Sequence, residues 1–229
     1  MMNHSFFANL HAIVPVNMPS GSKTRLSRRL DANQRASLTI TMLINVLAAL
    51  KRSRSVDSVT VVCADTGMRA LVEGCGATFL WEGRPRGLNP ALSFAMKGVT
   101  PDSSVVIIHA DLPLLTSDDV DHLVRRTVNY PLALVPSKDG TGTNAILMES
   151  PNIIRLAFGK DSFHKHCMLA RKRRLDFRVV RIDGVAFDVD DEEDLDELVR
   201  KHADWQTLRV KGILNREGAR MLPILVKSH

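Results

Sequence analysis

At 229 residues the chain is long enough for one well-buried domain and short for two of typical size. Hydrophobic residues at 45% and charged residues at 24% exclude disorder, a collagen-like repeat and a disulfide-rich miniprotein. Lys and Arg number 31 against 25 Asp and Glu, and the resulting net charge of +6 points to an anionic partner: nucleic acid, a membrane surface or a phosphorylated small molecule.

In chain order, His11–Val16 is a short apolar run rich in β-branched residues, which predicts a strand buried on both faces. Similar runs follow at Ser58–Cys63, 77–81, 104–109 and Leu132–Pro136. Between them, helical spacing covers 31–51, 66–74, 88–98 and 117–128, the last opening on a Thr116-Ser117-Asp118-Asp119 cap signal. Strands alternating with helices predict a three-layer α/β/α sandwich with a mostly parallel central sheet. After Pro136 the rhythm changes: a turn-rich insertion at 139–144 leads into a strand at 145–148 and a helix at 161–172. Closing strands are expected at 177–181 and 185–189, a helix with an acidic first turn at 191–202, and a short hairpin in the tail from Trp205. One domain is expected over 1–229, with its core at about 11–200. The three cysteines, Cys63, Cys75 and Cys167, have spacings that fit neither a disulfide framework nor a zinc site. With no long apolar stretch and no signal-peptide pattern, a cytoplasmic protein that meets no membrane is expected.

Open α/β sheets bind ligands beyond the carboxyl ends of their strands, so the residues that follow each apolar run are the first candidates. After the first strand, the segment 17–26 carries Gly21, Ser22 and the cations Lys23 and Arg25, offering amides and charge to a polyphosphate. It lacks the Walker A spacing, and the same composition also suits a solvated basic loop. Directly after the fourth run lies Ala110-Asp111-Leu112-Pro113. A lone carboxylate there is placed to hold a divalent metal against phosphate oxygens, since Mg²⁺ takes only one or two protein carboxylates. Asp188 and Asp190 share one face of an extended stretch and are candidates to complete that metal site, while 191–194 read as a helix first turn. Two further segments, 140–144 and 158–163, offer small residues, hydroxyls and free amides, and Ser162 lies at an expected helix start. His109, inside an apolar run, is expected to be a satisfied core residue. The basic run 171–174 reads as a solvated helix end, because few aromatics accompany it to stack bases.

Taken together in this order, the segments resemble the 2-phospho-L-lactate guanylyltransferase family, of the CofC type and with phosphoenolpyruvate-using relatives, within the nucleotide-diphospho-sugar transferase superfamily. The resemblance rests on Ile13-Val14-Pro15-Val16 with Ser22-Lys23-Thr24-Arg25-Leu26, on Leu88-Asn89 with Ala91-Leu92, and on Ala110-Asp111-Leu112-Pro113-Leu114-Leu115. It continues through Gly140-Thr141-Gly142-Thr143-Asn144-Ala145, Phe158-Gly159 with Ser162-Phe163, and Asp188-Val189-Asp190 with Glu193-Asp194-Leu195. It implies a Rossmann-like nucleotidyltransferase fold and transfer of a guanylyl group from GTP to the phosphate of a small phosphorylated carboxylic acid, with release of pyrophosphate, in coenzyme F-420 synthesis. The acids known to the family are 2-phospho-L-lactate, phosphoenolpyruvate and 3-phospho-D-glycerate. By the same resemblance Asp111, Asp188 and Asp190 hold Mg²⁺, Thr143, Gly159 and Ser162 bind the acceptor, and Lys23 and Arg25 meet the GTP phosphates. Pro15, Val16 and Asn89 line the nucleotide pocket, the insertion at 137–190 binds the acceptor, and a homodimer is implied. One departure is Asn17, where the family often carries a lysine.

Two rival readings remain at this point. A molybdopterin or sugar-phosphate nucleotidyltransferase opens on a Gly-Gly-x-Ser-x-Arg type loop, which residues 15–25 lack. A non-catalytic nucleic-acid-binding protein would bind DNA or RNA with steep salt dependence and release no pyrophosphate. A nicotinamide dehydrogenase is disfavoured because no Gly-x-Gly-x-x-Gly follows the first strand.

Overall fold

A computed structural model describes residue 7, residues 9–17 and residues 23–202. The elements in chain order are β1 (His11–Val16), α1 (Ala32–Arg52), β2 (Ser58–Cys63), α2 (Arg69–Gly74), β3 (Thr78–Trp81), α3 (Leu88–Met96) and β4 (Val105–Ile108). They continue with α4 (Ser117–Thr127), β5 (Leu132–Pro136), β6 (Thr143–Met148), α5 (Ser162–Lys172), β7 (Phe177–Val179), α6 (Asp183–Ala186) and α7 (Glu192–Lys201). The strands form one sheet in the order β3-β2-β1-β4-β6-β5-β7. Among the described strands only β6 runs antiparallel to its neighbours, so the mostly parallel three-layer arrangement expected from the alternating pattern is present.

The period of two along each strand divides the core into two layers. Val14, Val61, Val106 and Ile108 face one way, against Leu43, Leu47 and Leu50 of α1 and Val120 and Leu123 of α4. Ile13, Val62, Ile107 and Ile146 face the other way, against Leu92 and Met96 of α3 and Cys167 and Ala170 of α5. Each fully buried aliphatic side chain contributes roughly 1.5–3 kcal/mol relative to exposure, which is why runs apolar on both faces end up in the middle of a sandwich. A third cluster packs Leu195, Leu198 and Val199 of α7 on Leu26, Leu38 and Met42, and takes in Phe187 and Val189.

Local chemistry sets the helix starts. Asp31 and Gln34 form a reciprocal capping box on α1, as do Thr116 and Asp119 on α4 and Asp191 and Asp194 on α7. Thr116 therefore caps α4 and leaves Asp111 free for another role.

Two expectations need correction, and one lies outside the described residues. The closing strand expected at 185–189 is instead α6, one short turn, followed by an extended strap. The Asn144 amide donates to the carbonyls of Val185 (3.0 Å) and Ala186 (3.2 Å), acceptors that a strand ladder would have required. Gly184 sits so close to α4 that a Cβ there would collide with the Asp119 carboxylate and lie 2.8 Å from the Leu114 carbonyl. His109, expected inside a strand, lies just beyond β4 and faces the cleft, because β4 ends at Ile108. The hairpin expected from Trp205 lies outside the described residues, as do Gly21 and Ser22 of the first loop.

Candidate active site

The carboxyl ends of β1, β2, β3 and β4 open into a cleft of about 1310 Å³. The residues at its centre come from three separate segments. Lys23, at a positive φ of 52°, extends its ammonium between two carboxylates, 2.6 Å from Asp111 Oδ2 and 2.9 Å from Asp190 Oδ1. Asp111 follows β4, and its carbonyl accepts from the amide of Val189 at 3.3 Å, which ties the strap to this loop. In the strap, Phe187 and Val189 are buried while Asp188 and Asp190 line the cleft, the alternation expected of an extended stretch. Asn144 Nδ2 also donates to Asp188 Oδ1 at 3.1 Å, so one amide from β6 orients both the strap and its carboxylate. Asn144 is a residue to which the sequence assigned no role of its own. Its position at the end of the Gly-Thr-Gly-Thr turn was the signal.

Charge coupling moves these carboxylates apart. Burial alone would raise Asp111, but the Lys23 ammonium outweighs it and holds Asp111 below the usual carboxylate range. Asp188, desolvated and beside the Asp111 charge, is pushed up to about 6. Lys23 is itself raised: burial works against its charge, and Asp111 and Asp190 overcome that.

The donor set bears on a divalent cation. Among the described residues no group of three or more His, Cys, Asp or Glu side chains is arranged to hold a metal ion by itself. Asp111 Oδ1 is nevertheless buried without a hydrogen-bond partner among the described residues, near Asp188, whose ionisation is disfavoured by burial and by the Asp111 charge. A hard cation that takes one or two protein carboxylates and completes its shell with water and phosphate fits those two groups. Asp190, exposed and paired with Lys23, stands at the edge of this set.

On the β6 side, Thr143 and Ser162 meet at 3.3 Å between their hydroxyls. His166, fully buried, explains their orientation. The Ala157 amide donates to His166 Nε2 at 2.9 Å, so the ring proton resides on Nδ1 and donates to Thr143 Oγ1 at 3.0 Å. Thr143 thus accepts from both neighbours, and its own hydroxyl proton is available to the cleft. Gly159, at φ 115°, shapes the turn before α5 and lines the same end of the cleft. Burial lowers His166 to about 4. Because the unfolded chain then binds the proton more tightly than the folded one, stability held by the neutral ring is complete above its ordinary value of 6.5 and is lost as pH falls toward 4. Urea melts of the native protein should lose about 2–3 kcal/mol more between pH 7 and 4.5 than those of a His166→Gln variant.

A family model for CofC-like guanylyl transferases matches residues 10–210. The chain belongs to the CofC-like guanylyl transferase family. It is 37% identical over 190 residues to the phosphoenolpyruvate guanylyltransferase of Sphaerobacter thermophilus, covering 82% of this chain and 91% of that protein. It is 34% identical over 217 residues to the 2-phospho-L-lactate guanylyltransferase of Methanothermobacter thermautotrophicus, covering 94% and 92%. Among solved structures, a Desulfovibrio desulfuricans G20 chain assigned to the nucleotide-diphospho-sugar transferases superposes with a TM-score of 0.68 at 19% identity, covering 91% of this chain and 97% of that one. That likeness is one of fold.

Against this CofC-like background, the other site candidates fall as follows. Pro15 and Val16, at the end of β1, line the cleft, and Arg25 stands exposed at its edge. Asn89 stands in the first turn of α3, next to the cleft-lining Leu88. Its side-chain amide donates to the Phe158 carbonyl at 2.9 Å and accepts from the Phe158 amide at 2.8 Å. One donor and one acceptor of the Asn89 amide thus brace α3 against the turn that carries Gly159. His109 packs its ring 5.1 Å from Phe158, and its Nε2 is buried without a partner among the described residues, so it is not the satisfied core residue expected. Burial lowers its pKa and keeps it neutral.

Proposed function

We propose that this CofC-like protein transfers the guanylyl group of GTP to the phosphate of a small phosphorylated carboxylic acid, phosphoenolpyruvate or 2-phospho-L-lactate before 3-phospho-D-glycerate, as a step toward coenzyme F-420. The observation that carries the reading is the meeting of Lys23, Asp111, Asp188 and Asp190 between an apolar half of the cleft and a hydroxyl-lined half. The relatives named above, at 34–37% identity over most of the chain, support the reaction class.

The acceptor phosphate is already an anionic nucleophile near neutral pH, so no side chain has to remove a proton. Its oxygen forms a bond to the α-phosphorus as the bond to the bridging oxygen breaks, and pyrophosphate leaves with that electron pair. What the protein supplies is position and charge compensation. Thr143 holds the acceptor through its own hydroxyl proton, whose direction is set by the bonds it accepts from His166 and Ser162, and Ser162 and Gly159 shape the same end of the cleft. Lys23 and Arg25 meet the triphosphate from the β1 side. Asp111 and Asp188, with Asp190 at the edge, would hold Mg²⁺, which supplies charge neutralisation at the α-phosphate and the leaving pyrophosphate.

The same reading takes the chain as one cytoplasmic domain, working as a homodimer, whose partners are two small anions and neither nucleic acid nor membrane. The basic excess is explained by those anions and by solvated cations such as Arg171 to Arg174. Incubation with Mg²⁺, each nucleoside triphosphate and each of the three acids, followed by pyrophosphate release, tests it. GTP with phosphoenolpyruvate or 2-phospho-L-lactate should give turnover. Release with no combination, together with salt-sensitive binding to DNA or RNA, would favour the nucleic-acid reading.

A further inference from the structure

Glu82 was not singled out in the sequence, and the chemistry above does not use it. It follows β3 directly and is only 7% exposed, yet it lines the cleft. Its Oε2 is buried with no hydrogen-bond partner among the described residues. The same cleft is also lined by the apolar residues Pro15 and Val16 of β1, Val62 of β2, and Leu88 and Ala91 of α3. Burial raises the Glu82 carboxyl, while the Arg86 amide and guanidinium pull it back down. A buried acceptor without a donor is costly and uncommon in native structures, so a carboxylate left this way at the wall of a cleft marks the place of a ligand's donor.

Its place in the sheet says which part of the nucleotide comes there. Asp111 and Lys23 stand beyond β4 and β1, and the Thr143 and Ser162 hydroxyls stand on the β6 side. Glu82 lies on the opposite side, at the end of β3, three strands from β4. At ~4.8 Å per strand that is on the order of 14 Å, room for a ribose and a base to reach away from a triphosphate held at the centre. The apolar side chains of Pro15, Val16, Val62, Leu88 and Ala91 suit the faces of a planar base. A carboxylate only accepts, and it offers two oxygens side by side. Guanine is the nucleobase whose pairing edge presents two adjacent donors, N1–H and the 2-amino group. Adenine and cytosine place an acceptor beside their amino group, and uracil flanks its one N–H with carbonyls.

We propose that Glu82 reads the guanine edge of the nucleotide and so selects GTP. This deepens, and rests on, the guanylyl-transfer reading. The test is calorimetric binding of GTP, ITP, XTP and ATP to the full chain without acceptor, in the native protein and in Glu82→Gln. Inosine lacks the 2-amino group, so the native protein should bind ITP at least ~10-fold more weakly than GTP, and ATP at least ~100-fold more weakly. In Glu82→Gln one oxygen becomes an NH₂ donor that opposes guanine's 2-amino group but matches the 2-carbonyl of xanthine. GTP affinity should therefore fall at least ~30-fold and the order should invert in favour of XTP, a change that general damage to the fold cannot produce. The KM of the variant for the acceptor acid should stay within twofold of the native value.

Equal binding of GTP and ITP by the native protein, or an unchanged GTP-over-XTP preference in the variant, overturns the assignment. Should Glu82→Gln fail to fold, the native GTP-to-ITP ratio decides the question alone. Selective GTP binding with the expected inversion, but no turnover with any acid, would overturn the transfer reading while leaving Glu82 as the guanine reader.

Discussion

Replacement of Asp111 by Asn should lower guanylyl transfer at least about a thousandfold, a loss of ~4 kcal/mol of transition-state stabilisation, while the protein remains folded. Asp111 Oδ1 is buried and has no partner among the described residues, and so is the oxygen most in need of a cation. Asn offers one neutral oxygen and a donor that repels a cation, with almost no change in volume. Stability should change little, because two effects oppose each other. The pair with Lys23 at 2.6 Å weakens, but the Asp111 charge that disfavours ionisation of Asp188 also disappears, and Lys23 keeps Asp190 at 2.9 Å. A second readout separates the site from the scaffold: the Asp188 carboxyl, at about 6 in the native protein, should titrate closer to its ordinary 3.8 in the variant, followed by carbon-detected NMR. Turnover within tenfold of the native rate would refute the metal role of Asp111.

How far the sequence could be read depended on whether a feature is local. Strands such as Ser58–Cys63 and Leu132–Pro136 match the observed bounds because a run apolar on both faces has few other places to go. Helix starts at Asp31, Thr116 and Asp191 were legible because a capping box involves only four residues. The segment 185–189 was not, because its alternation suits a strand equally well. What decides against a strand is an amide from Asn144, more than forty residues away, and the close approach of Gly184 to α4. The same division holds in the cleft. That Lys23, Asp111, Asp188 and Asp190 come together follows from their positions beyond strand ends and in an extended strap. That Asn89 braces Phe158, that His166 orients Thr143 and that Glu82 Oε2 is left without a donor among the described residues depend on how distant parts of the chain pack, which no spacing in one dimension announces.

Lys23 carries the second large expectation, because in the free protein its ammonium occupies the place between carboxylates where a cation would compete. Its side chain is 8% exposed and touches both Asp111 and Asp190. Lys23→Met removes the charge but keeps the length of the stem. Without added metal the variant should be destabilised by about 3 kcal/mol, since breaking a buried pair from one side strands the other charge, and Asp188 or Asp111 should then take up a proton near neutral pH. Titration with Mn²⁺ followed by electron paramagnetic resonance should show tighter binding than in the native protein by about tenfold, ~1.4 kcal/mol, because no ammonium has to be displaced. Added metal should accordingly restore thermal stability more in the variant than in the native chain. Transfer should still fall roughly a hundredfold, because the cation meant to move from the carboxylates onto the triphosphate is missing. Stronger metal binding with weaker catalysis separates this exchange from a merely structural ion pair, whose loss would weaken both together. Unchanged Mn²⁺ affinity would show that Lys23 and the metal do not contend for the same carboxylates.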